Sequence, residues 1–169
     1  VGDKPVGDKP VGDKPVGDKP VGDKPDKGEK PGANKPDAVV EQGVARSNSE
    51  AGMILKDAKA AFDTQKYESA RAMYQRVAKS PYYQGRGYLG LARVDFETKN
   101  YAGAISNANK AVDLGSAEAR TVLANAYAKK GNYKAAVEEY RVVLGKEPNN
   151  PGVKAALTQA LEKCGKACQ

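Results

Sequence analysis

Residues 117–150, AEARTVLANAYAKKGNYKAAVEEYRVVLGKEPNN, read as two amphipathic helices joined by a tight turn. In the first helix Leu123, Ala124 and Tyr127 recur at i, i+1 and i+4. In the second, Ala136, Tyr140 and Val143 recur at i, i+4 and i+7, the spacing of a stripe buried along one helix face. Gly131-Asn132 separates them, and both residue types tolerate the left-handed backbone that closes a helix. Glu147-Pro148 ends the pair, because proline has no N–H to donate and disfavours a helical residue before it. The small side chains of Ala124 and Ala136 let the two helices approach closely. The stretch is a helical hairpin.

The same template fits twice more upstream. Residues 85–116 carry Leu91-Ala92, then Asn100-Tyr101 aligned with Asn132-Tyr133, then Ala104, Ala108 and Ala111. Residues 51–84 carry Ala58, Lys66-Tyr67, Ala70, Tyr74 and Val77. Equivalent alanines lie 34 residues apart (Ala70 to Ala104) and 32 apart (Ala104 to Ala136). A helix–turn–helix period near 34, with an L-G/A-x-x-Y core, an alanine midway and a closing proline, resembles the tetratricopeptide repeat (TPR) family. The third copy matches at Leu123, Ala124, Tyr127, Ala136, Tyr140 and Pro148. The large aromatic expected early in the first helix is Ile54, Tyr88 and Arg120 in the three copies, and the tyrosine position of the first two is Ala61 and Asp95. The resemblance covers about residues 51–163. It implies an all-α solenoid of three TPR-like helical hairpins closed by a C-terminal capping helix, preceded by a disordered Pro/Gly/Lys-rich tail.

Helices are accordingly predicted near 49–64, 67–79, 82–98, 101–114, 117–130, 133–145 and 150–163. Ser47 and Glu50 form a capping box before the first. Ser80-Pro81 and Asn150-Pro151 each place a capping side chain before a proline at the first helical position. Ser116 follows Gly115 in the matching stop–start arrangement. The last helix has no partner after it, and Lys154, Thr158, Gln159, Glu162 and Lys163 suit the polar face a terminal repeat needs.

Residues 1–25 are five copies of VGDKP, and the same composition runs to Pro36. Proline every fifth residue forbids a helix, and one valine in five cannot make a core. The segment reads as a solvated spacer, and residues 37–46 (DAVVEQGVAR) as an ambiguous stretch or short fraying helix. The expected division is a 1–46 VGDKP-repeat spacer and a 47–169 TPR-like domain.

Charge follows that division. Residues 1–50 hold nine basic and ten acidic side chains, and 51–169 hold nineteen and eleven, so the array is the basic part. No run approaches 18 apolar residues, so no membrane span is expected. The chain opens on valine with no signal pattern, which reads as a fragment of something longer. Its compartment, bacterial cytoplasm or periplasm, stays undecided.

The absence of histidine removes the usual general base and the commonest metal ligand together. No catalytic residue, cofactor or metal site is expected. Cys164 and Cys168 lack partners for a structural zinc site; they pair as a disulfide in an oxidising compartment and stay ordinary thiols in a reducing one. GRGYLG, Gly85 to Gly90, matches the dinucleotide fingerprint letter for letter, but that motif needs a preceding strand. Here the glycines fall in a helix, where they permit close packing. Lysine and arginine are spread over several helices with no nucleic-acid motif, so a solvated basic face is the default over nucleic-acid binding.

In TPR arrays the inner groove is lined by the first helix of each repeat. The resemblance therefore aligns Lys59, Arg93, Asn125 and Gln159 as one groove row, Phe62, Phe96 and Ala128 as a second, and Leu55, Leu89 and Thr121 as a third. Two cations and an amide beside apolar residues suit an extended acidic or C-terminal peptide, with charge-assisted bonds fixing register and apolar contacts adding area. The carboxylate-clamp members of the family, which bind chaperone tails, use a related Lys/Asn/Lys/Arg set. Lys59 and Asn125 sit at groove positions for it, while the full set does not map. The expected function is a non-catalytic interaction module binding a protein or peptide partner. Two alternatives accompany it: a regulatory or sensory module of a larger bacterial signalling protein such as a kinase, and a self-associating component of an envelope assembly.

Overall fold

The computed structural model describes residues 43–168. The spacer expected over 1–36 and the part of the ambiguous stretch before residue 43 lie outside them. Seven helices follow in order: α1 Asn48–Asp63, α2 Tyr67–Ala78, α3 Gln84–Glu97, α4 Tyr101–Asp113, α5 Ala119–Lys129, α6 Tyr133–Lys146 and α7 Pro151–Cys164. A 3-10 turn, Gly165–Cys168, comes last, and no strand occurs among the described residues. Each helix packs on its sequence neighbours. In addition α1 touches α3, α3 touches α5 and α5 touches α7, whereas the even-numbered helices do not touch one another. That asymmetry sets the odd helices on the inner side of a curved stack. The fold is an all-α solenoid of three hairpins with α7 as the capping helix.

Alanines fix the hairpin crossings. Ala58 and Ala70, Ala92 and Ala104, and Ala124 and Ala136 are all fully buried. Each pair recurs in one hairpin at the repeat offset, and any longer side chain there would force the helices apart. Between repeats, Tyr74 and Tyr140 wedge into the core from α2 and α6. Their counterpart in α4 is Ala108, whose smaller volume is made up by Leu123 packing against it. The glycines of GRGYLG all lie inside α3. A Cβ at Gly87 would stand 2.5 Å from the Ala78 backbone nitrogen, and one at Gly90 would overlap the Tyr74 ring. They are packing residues.

Helix starts follow the capping residues with two exceptions, Ser80 and Ser116; α5 begins only at Ala119, with Glu118 at its N-cap and no side-chain cap. Asn100, Asn132 and Asn150 accept from the backbone N–H groups of Gly103, Ala135 and Val153. Ser47 accepts from the Glu50 N–H, while the Glu50 carboxylate reaches the Arg46 N–H rather than that of Ser47. Ser80 does not cap α3, which begins only at Gln84. Its buried hydroxyl instead donates to the Ala45 carbonyl at 2.9 Å and accepts from the Tyr82 N–H. The reason is the segment 43–46, which is not helical and lies along α2. Arg76 Nε takes the Gly43 carbonyl at 2.8 Å, and Ala45 is buried with Ala51, Ile54 and Val77.

At the other end a disulfide joins Cys164 to Cys168, with their Cα atoms 5.7 Å apart. Gly165, at φ +61, turns the chain between them. Cys168 then packs into the core of the third hairpin, where its carbonyl accepts from Arg141 of α6.

Candidate peptide-binding groove

Two cavities open along the odd-helix face. The larger, about 900 Å³, lies between α1, α3 and the α4–α5 turn. It contains four of the residues aligned from sequence: Leu55, Lys59, Leu89 and Arg93. Leu89 contributes only an edge, being 7% exposed and packed on Ala111 and Ala119. Lys56 and Arg86 join Lys59 and Arg93 on the walls, so four cations face a single carboxylate, Glu118. Among the described residues neither Lys56 nor Arg86 has a carboxylate within ion-pair distance. Arg86 lies over the Tyr83 ring, 5.4 Å from its centroid.

The smaller cavity, about 320 Å³, lies between α3, α5, α6 and α7. Phe96 and Asn125 line it, with Ala128 and Gln159 from the same aligned rows. Lys129, Tyr133 and Lys163 complete its mouth. The aligned residues thus divide between two chambers. Phe62 lines neither; it is half-buried, edge-on to Tyr67 with centroids 5.7 Å apart. Phe96 repeats that arrangement against Tyr101 at 5.6 Å.

Three of the four members of the polar row, Lys59, Arg93 and Asn125, already have partners. Lys59 pairs with Asp63 one turn along α1. Arg93 reaches Glu118 at 3.1 Å, in a pair largely open to solvent and therefore weakly held. Asn125 accepts from the Tyr140 hydroxyl at 2.6 Å. The two buried tyrosines ionise above their ordinary range. Burial raises Tyr140, and burial raises Tyr74 against the opposing charge of Arg93, with Asp63 adding to the rise. Both are neutral at physiological pH.

Sequence reasoning missed Lys56, Tyr83, Arg86 and Glu118. Lys56 was within reach, since it stands one helical turn before Lys59 on the same face. Tyr83 was not: it sits at φ +53, a left-handed conformation rare for an aromatic residue, which sequence alone does not announce. Among the described residues no cluster of three or more His, Cys, Asp and Glu side chains could hold a metal ion. No helix there is long and apolar enough to cross a membrane.

Stacked helical hairpins with a chambered inner face define a helical-repeat domain. Two tetratricopeptide repeat models match the chain, over residues 55–117 and 95–160. Together they run from the middle of α1 through the second and third hairpins to most of α7, and the chain belongs to the tetratricopeptide repeat family. No curated protein matches it in sequence. Among solved structures it is similar to the first TPR of Spaghetti (RPAP3) bound to the HSP90 peptide SRMEEVD, with TM-score 0.66 and 24% identity over 71% of this chain and 97% of that one. The first TPR domain of the human RPAP3 protein gives TM-score 0.64 and 24% identity, covering 67% and 91%. PcrH from Pseudomonas aeruginosa gives 0.58 and 15%, covering 71% and 92%. These likenesses establish the fold.

Proposed function

We propose that this chain is a non-catalytic protein-interaction module that holds an acidic peptide segment along the inner face of α1, α3, α5 and α7. The observation that carries the reading is the charge of the larger cavity, where Lys56, Lys59, Arg86 and Arg93 meet one carboxylate. Lys59 and Arg93 are balanced only by the exposed acids Asp63 and Glu118, and Lys56 and Arg86 by none among the described residues. The cations outnumber the acids, and an anionic ligand relieves their repulsion while forming charge-assisted hydrogen bonds. Glu118 occupies Arg93 in the free protein and yields it to a ligand carboxylate. Leu55 and the edge of Leu89 supply apolar contact between the charges. The similar RPAP3 domain was solved with SRMEEVD, whose two glutamates and aspartate outnumber its arginine. That likeness supports an acidic partner in kind and leaves its sequence open.

Titrating the isotope-labelled full chain with SRMEEVD tests the reading by NMR. Shift changes centred on Lys59, Arg86 and Arg93 support it. Changes confined to the outer helices α2, α4 and α6 overturn it.

A further inference from the structure

The three hairpins repeat an aromatic pair, and the third copy lacks half of it. Phe62 meets Tyr67 and Phe96 meets Tyr101 edge-on, at 5.7 and 5.6 Å. The next members of the two rows are Ala128 and Tyr133, so Tyr133 has no phenylalanine against its ring. The smaller cavity lies there, lined by Phe96, Ala128, Tyr133, Tyr140, Ala156 and Ala160 among others. Lys163 covers the Tyr133 ring from α7 at 5.7 Å, and Lys129 stands at the mouth.

We infer that this chamber takes an aromatic side chain of the bound peptide, which occupies the place that Phe62 and Phe96 fill in the other hairpins. The inference rests on the acidic-peptide reading and adds to it a specificity pocket. An incoming phenyl ring meets Tyr133 edge-on, a geometry aromatic pairs favour, and its burial removes apolar surface of both partners from water. The two lysines at the rim match carboxylates next to that aromatic residue in the peptide. The amides of Asn125 and Gln159 limit the apolar wall, so an aromatic ring with polar neighbours suits the chamber better than a long aliphatic run. The two cavities together then read an acidic cluster and an aromatic anchor on one segment.

The test uses short fluorescein-labelled peptides of glutamate and alanine, with one phenylalanine walked along the sequence. At its best position phenylalanine tightens binding to the full chain by about tenfold over the all-alanine parent, the effect of a modest hot spot. Ala128→Phe fills the chamber with the residue the other hairpins use, so it keeps its helical content and abolishes the difference in affinity between the phenylalanine peptide and its parent, both measured on the variant. Lys59→Glu with Arg93→Glu weakens both peptides and leaves the phenylalanine gain intact. A ring-current shift of the Ala128 methyl signal, produced by the phenylalanine peptide alone, reads the same contact in the unaltered protein. If parent binding depends on Arg93 but no phenylalanine position gains affinity or moves that methyl, the pocket is refuted and the acidic groove stands. If the gain survives Ala128→Phe, the ring binds elsewhere and the pocket is likewise refuted. If no acidic peptide binds the unaltered chain, both readings fall.

Discussion

The Tyr140 hydroxyl donates to Asn125 Oδ1 across 2.6 Å, tying the core of the third hairpin to its inner face. Tyr140 is 2% exposed, so its ring is core and only its oxygen reaches the groove side. The bond fixes which way the Asn125 amide points: its carbonyl is taken, and its NH₂ group remains for a ligand. Truncation to Tyr140→Ala removes ring and bond together and costs roughly 3–5 kcal/mol, the range for emptying a buried aromatic site. Tyr140→Phe keeps the packing and loses about 1 kcal/mol for the hydrogen bond. Urea titration followed by circular dichroism separates the two.

The same tyrosine sets an alkaline limit. Burial raises Tyr140 and Tyr74 in the folded state, so above the ordinary tyrosine value of about 10 the unfolded chain gives up these protons first. The folded chain then holds more protons, and stability falls as pH rises. The two tyrosines leave stability unchanged below that value and weaken it progressively above. Tyr140→Phe removes its share of the alkaline loss, and melting curves between neutral pH and the alkaline range measure the difference.

Asp95 carries a separate prediction. It is 1% exposed, and its carboxylate receives Arg71 of α2 at 2.8 Å, Asn107 of α4 at 2.7 Å and Asn100 at 3.1 Å. One buried charge therefore joins α2, α3 and α4. Asp95→Ala strands the Arg71 guanidinium and both amides, and costs roughly 3–5 kcal/mol, as removing one partner of a buried ion pair does. Calorimetry of the variant checks it, and a loss within about 0.5 kcal/mol, ordinary for an exposed site, contradicts the hub.

The turns inside the hairpins hold unused stability. Gln65, Lys99 and Gly131 occupy the same turn position at φ +60, +63 and +81, and only the third is glycine. Gln65→Gly and Lys99→Gly each relieve left-handed strain and raise stability by about 0.5–1 kcal/mol. Gly131→Gln acts in the opposite sense. The three melting temperatures, taken together, report the sign.

Much of the array was legible because its signals are local. The recurring alanines at 70, 104 and 136 gave the register, and Ser47, Asn150 and Gly131 gave helix ends, whereas Asn100 and Asn132, which read as turn residues, are N-caps. Ser80 misled because a long-range contact, the Ala45 carbonyl, outcompeted its local capping role. Segment 43–46 is unreadable for the same reason, since Arg76 and Ser80 hold it from outside its own sequence. The groove rows were legible as helix faces. Ala128 lacking a ring is plain in the sequence, but their division into two chambers depends on α7 walling the gap it leaves and on the α4–α5 turn bringing Glu118 to Arg93, and both are tertiary facts.

Charge reversal in the larger cavity tests the central claim most directly. Lys59 and Arg93 are exposed and their ion pairs are with exposed acids, so their replacement contributes little to folding. The measurement is fluorescence anisotropy of a labelled acidic peptide with the full chain and with Lys59→Glu/Arg93→Glu, at low salt and at 0.5 M. The unaltered protein should bind, and bind more weakly as salt shortens the screening length from about 10 Å at 0.1 M. The double variant should lose at least about tenfold in affinity, equivalent to 1.4 kcal/mol, with helical content unchanged. A double variant that binds the acidic peptide like the unaltered chain contradicts the account and moves the interaction off the inner groove.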